Sequence, residues 1–531
     1  MSTPQSIINI CSGVRLDNRY EHTIYFDSIS AQQEYFAGKV VHTFSAYSYL
    51  RKSWPLQVEA TMEQAKTWSY LYFRNGSGKT YYYFINNVEY KNDHMVELTL
   101  ELDVVQTYLK EIREGLLPCF VERQHTETDV FGEHTLDEGL ETGELMDLNY
   151  IDVDALTTMC ILVLATINPN YANTTKPVDA MGHMYNSVFS GLTVWAVNAN
   201  NWADLSNQLD SLSTAGFLDG IQSMWMYPKD LVTLGGESTW DDGDLFKVVS
   251  GCAGKTVNIP GGYTRPDGKT VKNNKLYCYP YNFLYMTNNQ GTASAFRYER
   301  FKDTSKIQFS ITGVVSPDAS AKIYPLNYNG LVLNYEQGLS MGGYPSCAWD
   351  ADVYKLWLAQ NQNQHQYSLT TSGLTIAGGI GAGVASGLTG NIMGAVGGIA
   401  TAIHGGQQIG SLMAQTRDMA IQPPQSRGSY SSSVNVSAGK HTFTIIHKGV
   451  TPEQLDRLDN YFTMYGYKLN TVRKPNLCAR PAFTYIKTVG SAITANLCTE
   501  DLVKITSIFD RGVTFWVNGD KIADYTQNNQ A

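Results

Sequence analysis

Charged side chains are scarce in this 531-residue chain: Asp, Glu, Lys and Arg make up 17% of it, against the roughly 25% usual for globular proteins. Acidic residues outnumber basic ones 49 to 39, for a formal net charge of −10. That balance excludes a surface built to grip nucleic-acid phosphates over a large area. Cysteine is sparse and dispersed, at 11, 119, 160, 252, 278, 347, 478 and 498, with no CxxC pair. A disulfide framework and a zinc ribbon are therefore not expected. Folding in a reducing cytosol, with thiols acting as small hydrophobes, is. Residues 1–10 lack a basic stretch followed by an apolar run, so export by a cleaved signal is not expected.

Catalytic signatures are missing as well. The ten histidines form no HExxH pattern, and no GxSxG elbow occurs. Gly251-Cys-Ala-Gly-Lys-Thr256 ends like a phosphate-binding loop, but two residues separate its glycines where four are needed. The densest polar cluster, His125 and His134 with Glu127, Asp129 and Glu133, reads as a hydrated loop rather than a metal site. Asp241-Asp242-Gly243-Asp244 lacks the twelve-residue loop and terminal Glu of a calcium site. With 49 acidic residues many carboxylate pairs exist, and nothing singles one out for glycoside hydrolysis. No enzyme, cofactor or metal is expected.

The chain does have ample core material, 43% hydrophobic and 12% aromatic, with 34 Tyr against 19 Phe. Its length suggests three or four folding units. Short apolar or aromatic runs at 20–26, 40–49, 56–62, 69–73, 80–88 and 95–102 predict strands, with a hairpin tip at Asn75-Gly76-Ser77-Gly78. In 97–103, Leu98, Leu100 and Leu102 alternate with polar residues, the pattern of a strand buried on one face. Further strands are predicted at 160–167, 307–315, 331–335 and 513–517. Helices are predicted at 104–112, 202–215, 216–225 and 451–465. The fold class is mainly β with some α. The expected division is 1–130, a β-rich domain; 131–350, a β-rich middle region; 351–428, an apolar segment and linker; and 429–531, an α/β domain.

One stretch breaks this texture. From 356 to 416, 61 successive residues carry no Asp, Glu, Lys or Arg, and within it 372–403 has no ionisable side chain at all. As one helix those 32 residues would be about 48 Å long, more than a bilayer core of about 30 Å. Thr389-Gly390-Asn391 near the middle makes a turn, so that two half-helices would start and finish on the same side. Glycines recur every fourth residue, at Gly379, Gly383 and Gly387 and again at Gly390, Gly394 and Gly398. Small residues at that spacing let helices approach closely in lipid. Leu374, Ile376, Ile380, Val384, Leu388, Ile392, Met393, Val396, Ile399 and Ile403 supply the apolar surface. So many glycines make a poor soluble helix and a marginal inserter, so several copies acting together are required. A buried helical pair is the main alternative. A flexible linker would be Gly/Ser rather than Gly/Ile/Ala/Val/Leu. His404, just past the stretch, is a candidate pH-sensitive position.

Several runs carry a resemblance. They are Leu102-Asp103-Val104-Val105-Gln106-Thr107-Tyr108, then Val121-Glu-Arg-Gln-His125, then Leu136-Asp-Glu-Gly-Leu140-x-x-Gly143. Most specific is Tyr465-Gly-Tyr-Lys-Leu-Asn-Thr-Val-Arg-Lys-Pro-Asn-Leu477, continued by Arg480, Ala482-Phe483-x-Tyr485 and Ile508-Phe-Asp-x-Gly-Val-Thr514 to Trp516. In order and content these resemble the distal tail tube, or tail knob, proteins of short-tailed Bacillus-type podophages. Asp103, Gln106, Tyr465, Gly466, Lys474, Pro475 and Trp516 are the signature positions, expected to be structural.

The resemblance implies tail-hub-like β-barrel domains in a homohexameric tube at the distal tip of the virion tail, assembled in the host cytoplasm. It implies a long apolar loop that plugs the lumen and then enters the host membrane as a channel for the genome. The implied partners are other copies of the chain, a proximal tail tube or collar protein, the host cell membrane, a tail-tip lysin and viral DNA passing without sequence-specific binding. Two other readings stand beside it: a purely structural or receptor-binding tail adaptor with the loop as an internal stopper, and a wall-degrading tail hydrolase. The last would need a pocket with a nucleophile or perturbed acids.

Overall fold

The computed structural model describes residues 6–47, 55–75, 78–153, 156–170, 184–185, 188–189, 193–215, 217, 220–236, 238–261, 265, 267–315, 319–329, 338–344, 346–348, 428–429 and 441–531. The chain divides into two compact units, both assembled from separate stretches of sequence. The first comprises Met1–Leu145, Thr264–Tyr281 and Val450–Ala531, and the second Met146–Tyr263 and Asn282–Gly449.

The first unit contains a six-stranded antiparallel sheet in the order Val40–Tyr47, Ser6–Ser12, Trp68–Arg74, Thr80–Asn92, Met95–Leu102, Leu56–Glu59. Alternation dictates its faces: Val96, Leu98, Leu100 and Leu102 are buried, as a strand with one dry face requires. A hairpin joins the third strand to the fourth with Arg74 opposite Thr80, and the Asn75 carboxamide accepts from the Lys79 N–H at 2.8 Å. A second, five-stranded sheet runs His22–Ile24, Val513–Trp516, Phe483–Val489, Cys119–Gln124, Tyr467–Arg473. Its one parallel pair, Thr23 opposite Phe515, joins the beginning of the chain to its end. The helix Thr499–Arg511 buries Ile505, Ile508 and Phe509 in the same core as Ile8, Tyr70 and Val105.

The second unit is built on a seven-stranded sheet: Val232–Leu234, Lys247–Cys252, Thr193–Asn198, Met159–Ala165, Ile221–Pro228, Ser346–Ala348, Gly428–Ser429. The helix Trp202–Thr214 turns Leu205 and Leu212 onto Val163 and Val197 of this sheet. Among the described residues the unit also holds two four-stranded sheets and the two-stranded pair Met184–Tyr185 with Val188–Phe189.

Expected strands at 40–49, 56–62, 69–73, 80–88, 95–102, 160–167, 307–315 and 513–517 all have counterparts, as do the helices at 202–215 and 451–465. The helix expected at 216–225 is a strand, Ile221–Pro228. Ile221, Ser223, Trp225 and Tyr227 point inward at period two, and pairing with Met159–Ala165 sets Trp225 against Leu162. The helix expected at 104–112 is two short ones, Val104–Thr107 and Leu109–Gly115, broken at Tyr108. The stretch 331–335 lies outside the described residues. Cys11, Cys119, Cys160 and Cys278 are buried and form no disulfide among the described residues.

Candidate functional site

The apolar stretch is anchored at a defined place. The strands that bound residues 349–427 in sequence, Ser346–Ala348 and Gly428–Ser429, pair antiparallel, Ser346 with Ser429 and Cys347 with Gly428. The first of them is held on Ile221–Pro228, with Ser223 opposite Ala348 and Trp225 opposite Ser346. The departing and returning strands are neighbours at the edge of the sheet. Adjacent strands lie about 4.8 Å apart, so the two ends of the 349–427 segment are held close together.

Near this base, Tyr344 packs edge-on against Tyr227 at 5.5 Å and against His441 at 4.4 Å. Tyr227 in turn crosses Gly313 so closely that a Cβ there would meet its hydroxyl at 1.5 Å. Burial lowers the His441 pKa, and neither of its ring nitrogens has a partner among the described residues.

The stretch itself, with Leu374, Ile376, Ile380, Val384, Leu388, Ile392, Met393, Val396, Ile399, Ile403 and the glycines Gly379 to Gly398, lies outside the described residues, as does His404. Among the described residues, no helix is long and apolar enough to cross a membrane.

The signature residues sit in the first unit, where the structure brings three of them together. The Asp103 carboxylate caps Val104–Thr107, accepting from the Val105 and Gln106 N–H groups at 3.1 and 3.0 Å and from the Tyr70 hydroxyl at 2.8 Å. Burial nevertheless raises its pKa to about 6. Gln106 Nε2 donates to the Ile24 carbonyl at 2.8 Å and to Thr23 Oγ1 at 3.1 Å, while its Oε1 accepts from Gln32 Nε2 at 2.8 Å. Trp516 pairs with that same Ile24, and its ring lies 4.5 Å from Phe483. Asp103, Gln106 and Trp516 thus form one buried path from the first sheet to the parallel strand pair.

Tyr465 and Gly466 stand elsewhere, at the end of the helix Pro452–Tyr465. Gly466 has φ +63°, and a Cβ there would meet the His125 N at 2.5 Å. Its carbonyl accepts from Arg123 Nη1 at 2.8 Å. Lys474 and Pro475 line an open cleft of about 510 Å³ with Tyr25, Lys110 and Arg113.

The polar candidates resolve into scaffolding. His125 is buried rather than in a hydrated loop: its Nδ1 accepts from the Tyr485 N–H at 2.8 Å and its Nε2 donates to the Thr463 carbonyl at 2.9 Å. Burial holds the ring neutral by lowering its pKa to about 3. Asp129 accepts from the Asn274 N–H at 2.9 Å. Asp242 pairs with Lys247. The 251–256 run joins two strands, Lys247–Cys252 and Lys255–Pro260, rather than a strand and a helix as a phosphate loop would.

Buried acids escaped the sequence reading, among them Glu138 and Asp459. Glu138 pairs with Arg123 and Lys275, all three buried, and ties together the three separate stretches of the unit. Asp459 accepts from the Lys272 and Asn273 N–H groups at 2.9 and 3.1 Å, fixing the 267–281 excursion to the helix Pro452–Tyr465. Its signal was present: it lies beside Leu455, Leu458 and Phe462 on the apolar face of that helix.

Comparison with known proteins agrees with this picture. The family described as Bacillus phage phi29, tail knob protein gp9, C-terminal domain matches residues 249–530, and the caudoviral major tail protein N-terminus matches residues 4–113. Tail knob protein gp9 of Bacillus phage B103 is 25% identical and that of Bacillus phage phi29 24%, each match covering 98% of both chains. The solved structure of the bacteriophage C1 tail knob protein, gp12, superposes with a TM-score of 0.66 at 15% identity, again over 98% of both chains. The chain belongs to the phage tail knob protein family, and is a structural component of the viral tail rather than an enzyme.

Proposed function

We propose that this protein forms the distal end of the tail as a homohexameric tube, and that its apolar loops, centred on 372–403, close the lumen before infection and enter the host membrane when the genome is ejected. The observation that carries this reading is the base of the loop. An uncharged stretch of 32 residues, 372–403, is delivered from two strands paired side by side, so it can be stored in one place and extended into another while the sheet persists. Six marginal inserters acting together meet the cooperative requirement that one copy fails. A net charge of −10 suits a conduit past which DNA phosphates slide without binding. The tube would continue a proximal tail tube or collar protein at its other end, with a tail-tip lysin as a further partner. In this scheme the parts of the chain are a β-rich tube domain at 1–130, a middle tube or knob region at 131–350, the membrane-active loop and linker at 351–428, and a domain at 429–531 that completes the tube.

Deleting 372–403 tests the proposal. Full-length protein should release dye from anionic liposomes, and the deletion variant should lose at least about tenfold of that activity while keeping its assembled mass. Equal release by both would overturn the membrane role. No release by either would favour a structural adaptor whose loop is only a stopper.

A further inference from the structure

We propose that neighbouring copies in the ring grip one another through an acidic hairpin arm on one copy and a basic, apolar row on the next. This rests on the ring reading above and adds the contact that closes it. The row lies on the five-stranded sheet. Val472 and Val489 stand on either side of Phe120 in register across three adjacent strands. They are 73%, 55% and 39% exposed, an uncommon concentration of apolar surface. Tyr467–Arg473 is the edge strand of that sheet, and it leads directly into Lys474. Neither Arg473 nor Lys474 has an ion-pair partner among the described residues. Lys474 shares an open cleft with Lys110, Arg113, Asp27 and Glu114, three bases to two acids, and Glu122 on the same sheet is paired with Lys487. The row therefore offers apolar surface that ends at one positive charge, Lys474; Arg473, opposite the buried Cys119, belongs to the other face of the sheet.

The complementary element is the hairpin of Thr80–Asn92 and Met95–Leu102. Past Asn86 its first strand is largely exposed, and Tyr90 at its far end is 55% exposed. Glu89 stands opposite Glu97, and Glu59 of the next strand opposite Met95. Asp93 in the turn accepts from the Tyr90 hydroxyl at 2.6 Å, holding the ring at the tip. Four acids there face one lysine, Lys91, which is shared between Glu89 and Glu97 at 3.0 and 3.1 Å. An exposed aromatic ringed by surplus negative charge fits an exposed apolar row that ends at surplus positive charge. Two different surfaces that match each other, rather than themselves, make a head-to-tail contact, the kind that closes rings.

The test uses the full chain. Light scattering should give a multi-subunit mass for the native protein and the single-chain 58.9 kDa for Lys474→Glu. Adding Glu89→Lys and Asp93→Lys should restore the assembled mass. Tyr90→Ala, on the other side of the contact, should raise the concentration needed for half-assembly at least about tenfold. Retained assembly in Lys474→Glu would overturn the contact while leaving the ring intact, and loss without rescue would overturn the arm as its partner. A native protein that stays a single chain would remove the ring and this contact with it.

Discussion

The two units differ most in how they hold their separate stretches of chain. The first locks three of them with buried polar groups: Glu138 between Arg123 and Lys275, Asp459 on the Lys272 and Asn273 N–H groups, Gln106 on Ile24. Each would leave a buried charge or donor unsatisfied if it opened, so the unit yields as a whole or not at all. The second carries its long excursion on a two-residue strand, Gly428–Ser429, at the sheet edge. The two units are thus held by different chemistry, and each can be attacked separately.

The largest effect is expected in the frame. Glu138→Gln leaves Arg123 and Lys275 sharing a buried site without their anion, and should cost about 3–5 kcal/mol in the unfolding of the first unit, read by denaturant titration. Asp103→Ala should cost about 2–3 kcal/mol, because a helix cap is lost and the Tyr70 hydroxyl is left without its acceptor.

Acid sharpens the comparison further. His125 titrates near 3 when folded against an ordinary 6.5, so its contribution is full above pH 6.5 and lost as pH falls toward 3. Asp103, raised from 3.8 to about 6, does the reverse: its contribution is full below 3.8 and lost as pH rises through 6. Thermal unfolding between pH 4 and 7 should therefore show a shallower acid-side loss for His125→Gln than for the native protein, and a steeper one for Asp103→Asn. The tether acts in the opposite direction. Replacing the 79 residues 349–427 by a short turn between Ala348 and Gly428 should raise the stability of the second unit by about 2–3 kcal/mol, because closing so long a loop costs that much more than closing a turn.

Much of the frame was legible in the sequence because alternation fixes strands: Val96, Leu98, Leu100 and Leu102 could hardly lie otherwise. The strand Ile221–Pro228 was not, since Ile, Trp and Met at short spacing satisfy a helix as readily, and the pairing with Met159–Ala165 decided it. Thr499–Arg511 went unread although Ile505, Ile508 and Phe509 recur at helical spacing. Signature residues were legible by likeness, but their roles were not: that Gly466 must be glycine follows from the His125 backbone beside it, far away in sequence. Nor could the sequence reveal that residues 346–348 and 428–429 meet, because nothing in two short strands marks their pairing. His125 looked hydrated because its neighbours Glu127 and Asp129 are acidic, whereas its own ring faces Thr463 and Tyr485.

The loop's destination is best tested by an environment-sensitive fluorophore carried on a non-natural amino acid in place of Leu388, followed as assembled protein is mixed with vesicles containing brominated acyl chains. Entry into lipid predicts a blue-shifted emission that the bromines quench. Unshifted, unquenched emission while the vesicles lose their dye would contradict it, because the puncture would then come from another part of the protein.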